Sequence, residues 1–172
     1  MENGILTVEN KKDEKFLRRK TEGFDFKKFS RAEITQIINR MKKAMHLAHG
    51  IGLSANQIGL PYKMFVAEVP SPDAGKKFYA IFNPVIEKTS GEKIKVEEGC
   101  LSVPGMRGYL ERHKRVVLTG FDKNGKPLKI KAWGLLAHVF QHEVDHLNGK
   151  LFIDRTKDIR KYENVRNYEK KQ

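Results

Sequence analysis

Cysteine is almost missing from this chain: among 172 residues only Cys100 carries a thiol. No disulfide can therefore form within the chain, and a reducing compartment fits. Long apolar runs are missing too. No stretch approaches the roughly 18 consecutive apolar residues of a membrane-spanning helix. The opening MENGILTVENKKDEK has neither the apolar stretch of a secretory signal nor the acid-poor character of a transit peptide. A cytoplasmic location is expected, and neither a membrane nor DNA is expected as a partner. Acidic residues are the minority, 21 Asp and Glu against 34 Lys and Arg, for a net charge of +13. That excess suits an anionic partner such as RNA or a ribosome. It equally suits a solvated surface, because the lysines are dispersed in pairs rather than massed. What the chain does have is a hydrophobic content of 39%, enough for a folded core. With no internal repeat and no Ser/Gly linker, one domain is expected over residues 1–172.

The order of patterns predicts an α+β fold. Residues 1–29 read as an irregular polar arm, with at most one helical turn at Phe16 and Leu17. Ser30 and Glu33 have the spacing of a capping box. Ile34, Ile37, Ile38, Met41 and Met45 then form the apolar stripe of an amphipathic helix ending near His49, with Gly50 as a left-handed stop. From Lys63 to Lys131 short β-prone runs (MFVAEV, FYAIF, KIKVEE, RVVLTGF, PLKIKAW) alternate with turn residues, and Asn124–Gly125 is a hairpin signal. No helix-length crossover separates these runs, so antiparallel pairing is expected. A second helix is predicted from Gly134 to Leu147. Leu135, Leu136, Val139, Phe140 and Val144 make it apolar over much of its circumference, as befits a central, buried helix with the sheets packed around it. The basic tail, residues 155–172, is expected to add a short surface helix.

Chemistry enters with His142-Glu143-Val144-Asp145-His146, an H-E-x-x-H on that second helix. Residues four apart share a helix face, so two imidazoles can converge on one ion while Glu143 holds a water beside it and moves protons. An open catalytic site normally takes a third protein ligand. Only 26 residues follow His146, with no further His, so the donor is sought upstream. Cys100, in the string Glu98-Gly99-Cys100-Leu101-Ser102, offers a thiolate that suits zinc or ferrous iron. A lone buried cysteine is more often an inert small hydrophobe; its Gly-flanked turn and the two-histidine helix favour a ligand here. A third string, Gly50-Ile51-Gly52-Leu53-Ser54-Ala55-Asn56-Gln57, reads as a helix end followed by a turn. Its small residues allow close backbone approach, and Gln57 supplies an amide donor.

In this order and at these separations, GIGLSANQ, EGCLS and QHEVDH closely resemble the three signature motifs of the peptide deformylases, and the likeness extends from about Arg31 to Arg155. The resemblance implies a metal-dependent amide hydrolase that removes the N-formyl group from the initiator methionine of nascent chains, releasing formate. It assigns the metal to Cys100, His142 and His146, general acid/base work to Glu143, and stabilisation of the formyl oxygen to Gln57 and the Leu101 N–H. Ile51, Gly52, Glu98 and Gly99 fall on positions that line or brace the substrate groove, with Arg107 near it; Leu135 and Val139 are the expected wall of a methionine pocket. The implied ion is Fe(II), with Zn, Ni or Co as substitutes. The implied partner is an N-formylmethionyl nascent peptide, with transient ribosome contact and a monomeric enzyme as further expectations. Two departures are visible. Glu9–Glu14 replaces a proline-containing turn, and Ser54 stands where many members carry Ala, a small-for-small change of little expected effect. His138, one turn before His142, reads as a surface or groove residue. Rival readings are an H-E-x-x-H endopeptidase with a different third ligand, and a basic RNA-binding protein with a structural metal site.

Overall fold

The protein's structure, a computed structural model, describes residues 4–71 and 75–162. Its N-terminal arm is more regular than the expected irregular segment. Helix α1 (Lys11–Leu17) begins on Asn10, whose side chain accepts from the N–H groups of Lys12 (2.9 Å) and Asp13 (3.2 Å), occupying donors a helix start leaves unpaired. Its amphipathic signal is weak because Leu17 is its one buried residue. The rest of the arm is anchored by aromatics: Phe24 stacks on Phe29 and meets Phe26, Tyr62 and Phe82 edge-on.

Helix α2 (Arg31–Leu47) carries the expected capping box, with Glu33 N–H donating to Ser30 Oγ (3.2 Å) and Ser30 N–H to the Glu33 carboxylate (2.7 Å). Ile34, Ile38, Met41 and Met45 are its buried stripe. The left-handed residue after it is His49 (φ 55°), not Gly50. Gly50 is there for room, since a Cβ at that position would fall 2.7 Å from Leu101 Cδ1.

The strands form two antiparallel sheets. The larger has the order β1 (Gly52–Ser54), β2 (Met64–Ser71), β3 (Gly75–Thr89), β6 (Arg115–Phe121) and β7 (Pro127–Trp133). The smaller has β4 (Lys93–Cys100), β5 (Val103–His113) and β8 (Ile159–Lys161). β5, whose glycines and charges mask its alternation, is a strand the sequence reading did not separate out. The predicted hairpin at Asn124–Gly125 joins β6 to β7, with Gly125 at φ 74°, a conformation glycine adopts without penalty. The tail forms β8 on β5, pairing Met106 with Lys161, and not the expected surface helix up to residue 162; its remainder, 163–172, lies outside the described residues.

Helix α3 (Gly134–Leu147) matches its predicted bounds. It packs on one face of the larger sheet, where Ala137, Phe140 and Leu147 join Phe65, Ile81, Val116 and Leu118. Helix α2 covers the opposite face with Ile38, Met41 and Met45 against Leu53, Met64, Val66 and Phe82. β2 is thus sandwiched between helices, which explains why its opening MFVA is a continuous apolar run rather than an alternating one. A third cluster, Val103, Leu110, Leu151 and Phe152, ties the smaller sheet to the turn after α3. The result places the end of β4 opposite one face of α3.

Candidate metal and catalytic site

Cys100 ends β4 at a tight turn where the register shifts and Cys100 pairs with Val103. His142 and His146 project from successive turns of α3. The thiol and two imidazoles bring one donor atom each into a cluster within 4.8 Å. Cys100 Sγ is 3.1 Å from His146 Nε2, and the two Nε2 atoms are 3.2 Å apart. Nitrogen donors about 2.0–2.1 Å from one tetrahedral ion are themselves about 3.3 Å apart, so the spacing fits one shared ion. Burial alone would raise the Cys100 thiol, but the opposing charge of His146 and bonds from both imidazoles bring it down to about 5, favouring the thiolate that ligation requires. Among the described residues, these three form the metal-competent grouping.

Glu143 lies beside this cluster, 3% exposed. Burial raises its carboxyl above the ordinary carboxylate value, against the pull of His142 and His146 and a bond from Ser54; a raised carboxyl takes up a proton more readily than an exposed one. Ser54 Oγ is 2.7 Å from Glu143 Oε2 and 3.0 Å from the Glu143 carbonyl oxygen. The hydroxyl that seemed an incidental substitution for Ala therefore contacts the candidate proton carrier. On the other side, Gly52 leaves space the carboxylate uses: a Cβ there would fall 3.0 Å from Glu143 Cδ, closer still to Oε1, and 3.1 Å from Val139 Cγ1.

The GIGLSANQ string is a short strand and a 3-10 turn (Ala55–Ile58), not merely a helix end. The turn is fastened at both ends of the Gln57 amide: Ser54 N–H donates to Oε1 (2.8 Å), and Nε2 donates to Ser102 Oγ (3.1 Å) and points toward Cys100 Sγ (3.7 Å). Asn56 Nδ2 holds the carbonyl of His146 at 2.7 Å. Ser102 and Asn56 gave no signal beyond their neighbours in the motifs.

Glu98, expected to line or brace the groove, braces it from behind. Its side chain is 1% exposed. It accepts from His142 Nδ1 (2.8 Å), His138 Nε2 (2.8 Å), and Arg112 Nε and Nη2 (2.6 and 3.0 Å). Burial alone would raise this carboxyl; the bonds from His138, His142 and Arg112 outweigh it and hold it well below the usual carboxylate range. An ionised Glu98 obliges His142 to carry its proton on Nδ1, leaving the Nε2 lone pair toward Cys100 and His146. The network continues: Arg112 Nη1 reaches Asp145 (2.7 Å), which Arg155 also holds. Asp145 lies within the H-E-x-x-H string and Arg112 within the strand masked by its glycines and charges; no sequence spacing names the partner of either.

An open groove of about 1450 Å³ runs over the cluster. Leu101 at the turn after Cys100, Ile51, Leu135 and Val139 line it; Leu135 stays 46% exposed while Val139 is buried. Gly99 backs onto Arg107, and Arg107 stands at the rim, its guanidinium over the Tyr162 ring and 3.6 Å from Glu97. His138 also lines the groove but is held by Glu98 rather than lying free on the surface.

Comparison with known proteins agrees with this geometry. Residues 4–162 match the sequence profile of the Polypeptide deformylase family. The chain is 42% identical to a peptide deformylase of Syntrophomonas wolfei over 129 residues, 75% of this chain and 81% of that one. It is 44% identical to a peptide deformylase of Syntrophobacter fumaroxidans over 126 residues, 73% of this chain and 74% of the other. The crystal structure of a probable peptide deformylase from Synechococcus phage S-SSM7 superposes with a TM-score of 0.79 at 38% identity, covering 88% of this chain and 98% of that one.

Proposed function

The chain belongs to the peptide deformylase family, a family of metal-dependent hydrolases of the N-formyl group, and on that premise we propose how its own residues carry out the reaction. The observation that carries the assignment is the meeting of Cys100 Sγ with the two Nε2 atoms beside the Glu143 carboxylate. Cys100, His142 and His146 would hold the ion. Fe(II) is the proposed occupant, and Zn, Ni or Co would suit the same donors. When bound, the ion supplies polarisation of the formyl carbonyl and makes a nearby water more acidic.

The remaining work falls to the protein. Glu143 takes the proton of the attacking water and returns it to the leaving amine. The Gln57 amide, fixed through Oε1 by Ser54 N–H, and the Leu101 N–H donate to the formyl oxygen as negative charge builds on it. Donors fixed in advance contribute about 3–4 kcal/mol each. Selection of formyl over acetyl comes from a wall formed by Gly52 and the Cys100–Leu101 turn, because apolar contact alone discriminates one methylene by only about 1–3 kcal/mol. Leu135 and Val139 receive the methionine side chain, with Ile51, Gly99 and Arg107 along the peptide and Glu98 bracing from behind. The substrate is an N-formylmethionyl nascent peptide. The chain acts as a monomer and one catalytic domain in the cytoplasm, and its +13 charge supports transient contact with ribosomal RNA. Among the described residues no helix is long and apolar enough to cross a membrane.

Oxygen-free purification, metal analysis and paired assays on formyl-Met and acetyl-Met peptides test this reading. Formyl-selective turnover that declines in air, abolished or altered in metal dependence by Cys100→Ser, is the expected result. Wild-type deformylation by Cys100→Ser with unchanged metal content would overturn the ligand set.

A further inference from the structure

His138 is unused by the roles assigned above, yet it makes one of the four bonds that orient Glu98. Arg112 reaches that carboxylate from β5 and occupies both oxygens, Oε1 at 2.6 Å and Oε2 at 3.0 Å. The second donor to each oxygen comes from α3: His138 Nε2 to Oε1 at 2.8 Å and His142 Nδ1 to Oε2 at 2.8 Å. The two histidines are one turn apart, so their rings reach the two oxygens of a single carboxylate side by side.

We propose that His138 is a positioning residue for the metal ligand His142, acting through Glu98. This rests on the reading of Cys100, His142 and His146 as the ligand set. An arginine fork alone leaves a carboxylate free to rock about its axis; a second donor on each oxygen, from a different element, fixes its plane. The Oε2 lone pair that receives His142 Nδ1–H is thereby aimed, and with it the imidazole ring whose Nε2 faces Cys100 and His146. His138 is outside the three-donor cluster, so its contribution runs through the carboxylate and not through the ion. Its side chain is 19% exposed, so water can replace part of the lost bond, which bounds the effect.

Zinc binding, measured by competition with a chromogenic chelator, reads this directly and without turnover. His138→Leu, which fills similar space but donates nothing, should weaken the zinc dissociation constant about tenfold, the lower end for partners outside the ligand shell. His138→Gln, whose amide can donate to Oε1, should recover most of that loss. On zinc-loaded protein, KM for a formyl-Met peptide should move by no more than about twofold in either variant. Equal zinc affinity in wild type and His138→Leu would overturn the inference. So would a rise in KM with affinity unchanged, which would make His138 a pocket wall only, or a Gln variant as weak as Leu. If the wild-type protein bound zinc without a thiolate signature in its Co(II)-substituted spectrum, the ligand set itself would fall, a failure distinguishable from the other three.

Discussion

Gly52 and Glu143 are packed so closely that the glycine's missing side chain is the space the carboxylate occupies: a Cβ would lie 3.0 Å from Glu143 Cδ and overlap Oε1. One comes from an edge strand and the other from the buried helix, so their contact fixes where the proposed proton carrier stands relative to the thiol and imidazoles. Gly52→Ala should force the carboxylate aside. Displacement of a reacting group by about 1 Å costs on the order of 10²-fold in rate, so kcat for formyl-Met peptide hydrolysis should fall about that far while metal content stays at one ion per chain. Unchanged kcat would show that the carboxylate has room to spare.

Ser54 offers Glu143 a hydroxyl at 2.7 Å, in a site where both residues are buried. Bonds to charged groups are worth about 1.5–3 kcal/mol. Ser54→Ala should lower kcat by more than it alters KM and lower the unfolding free energy by no more than that amount. The measurement is steady-state kinetics paired with urea denaturation; a pure KM effect would contradict the contact's proposed role.

Arg112 balances two buried carboxylates, Glu98 and Asp145. Removing one partner of a buried ion pair strands the other and costs about 3–5 kcal/mol. Arg112→Met should therefore lose that much stability in chemical denaturation, and zinc affinity should drop with it because Glu98 no longer holds His142 squarely. A stable variant with intact metal binding would show that the carboxylates are satisfied without the guanidinium.

Asp154 joins the turn after α3 to α1. Partial burial would raise its carboxyl, but Arg18 and the Leu151 N–H hold it below its ordinary value. A carboxyl depressed on folding stabilises the fold above its unfolded pKa and loses that stabilisation as pH falls through its folded value. Asp154→Asn should thus cost stability at neutral pH, by less than about 1 kcal/mol because the pair is partly exposed and screened. The gap should narrow below about pH 3.9, the unfolded Asp value. Urea titrations of both proteins across that range check the sign; a gap that widened in acid would refute it.

Helix α3 and its two candidate ligands were legible because periodicity, a Gly start and a four-residue spacing all lie within one short segment. Cys100 was legible as a candidate donor because it sits in a Gly-flanked turn of a chain that also offers a two-histidine helix. What joins them was not. Glu98 touches residues 14, 40 and 44 positions away in sequence, on a neighbouring strand of the smaller sheet and on helix α3, and no local pattern encodes such a meeting. Ser54 looked like a neutral replacement because its size, and not its hydroxyl, was the visible feature. The arm was underestimated for a related reason: α1 is capped by a side chain but turns only Leu17 inward, so there is little amphipathy to see. The Arg18–Asp154 pair and the contacts of Phe24 with Tyr62 and Phe82 secure the arm, and these are long-range.

The larger sheet also ends in a particular way. One outermost strand, β1, has three residues; the other, β7, begins at Pro127 and turns Lys129 and Lys131 to solvent. A stranger's backbone zipping onto either side would find too few amides on the first and would crowd like-charged ammonium groups on the second. Crowded chains of this protein should therefore slide past one another rather than stack into ribbons.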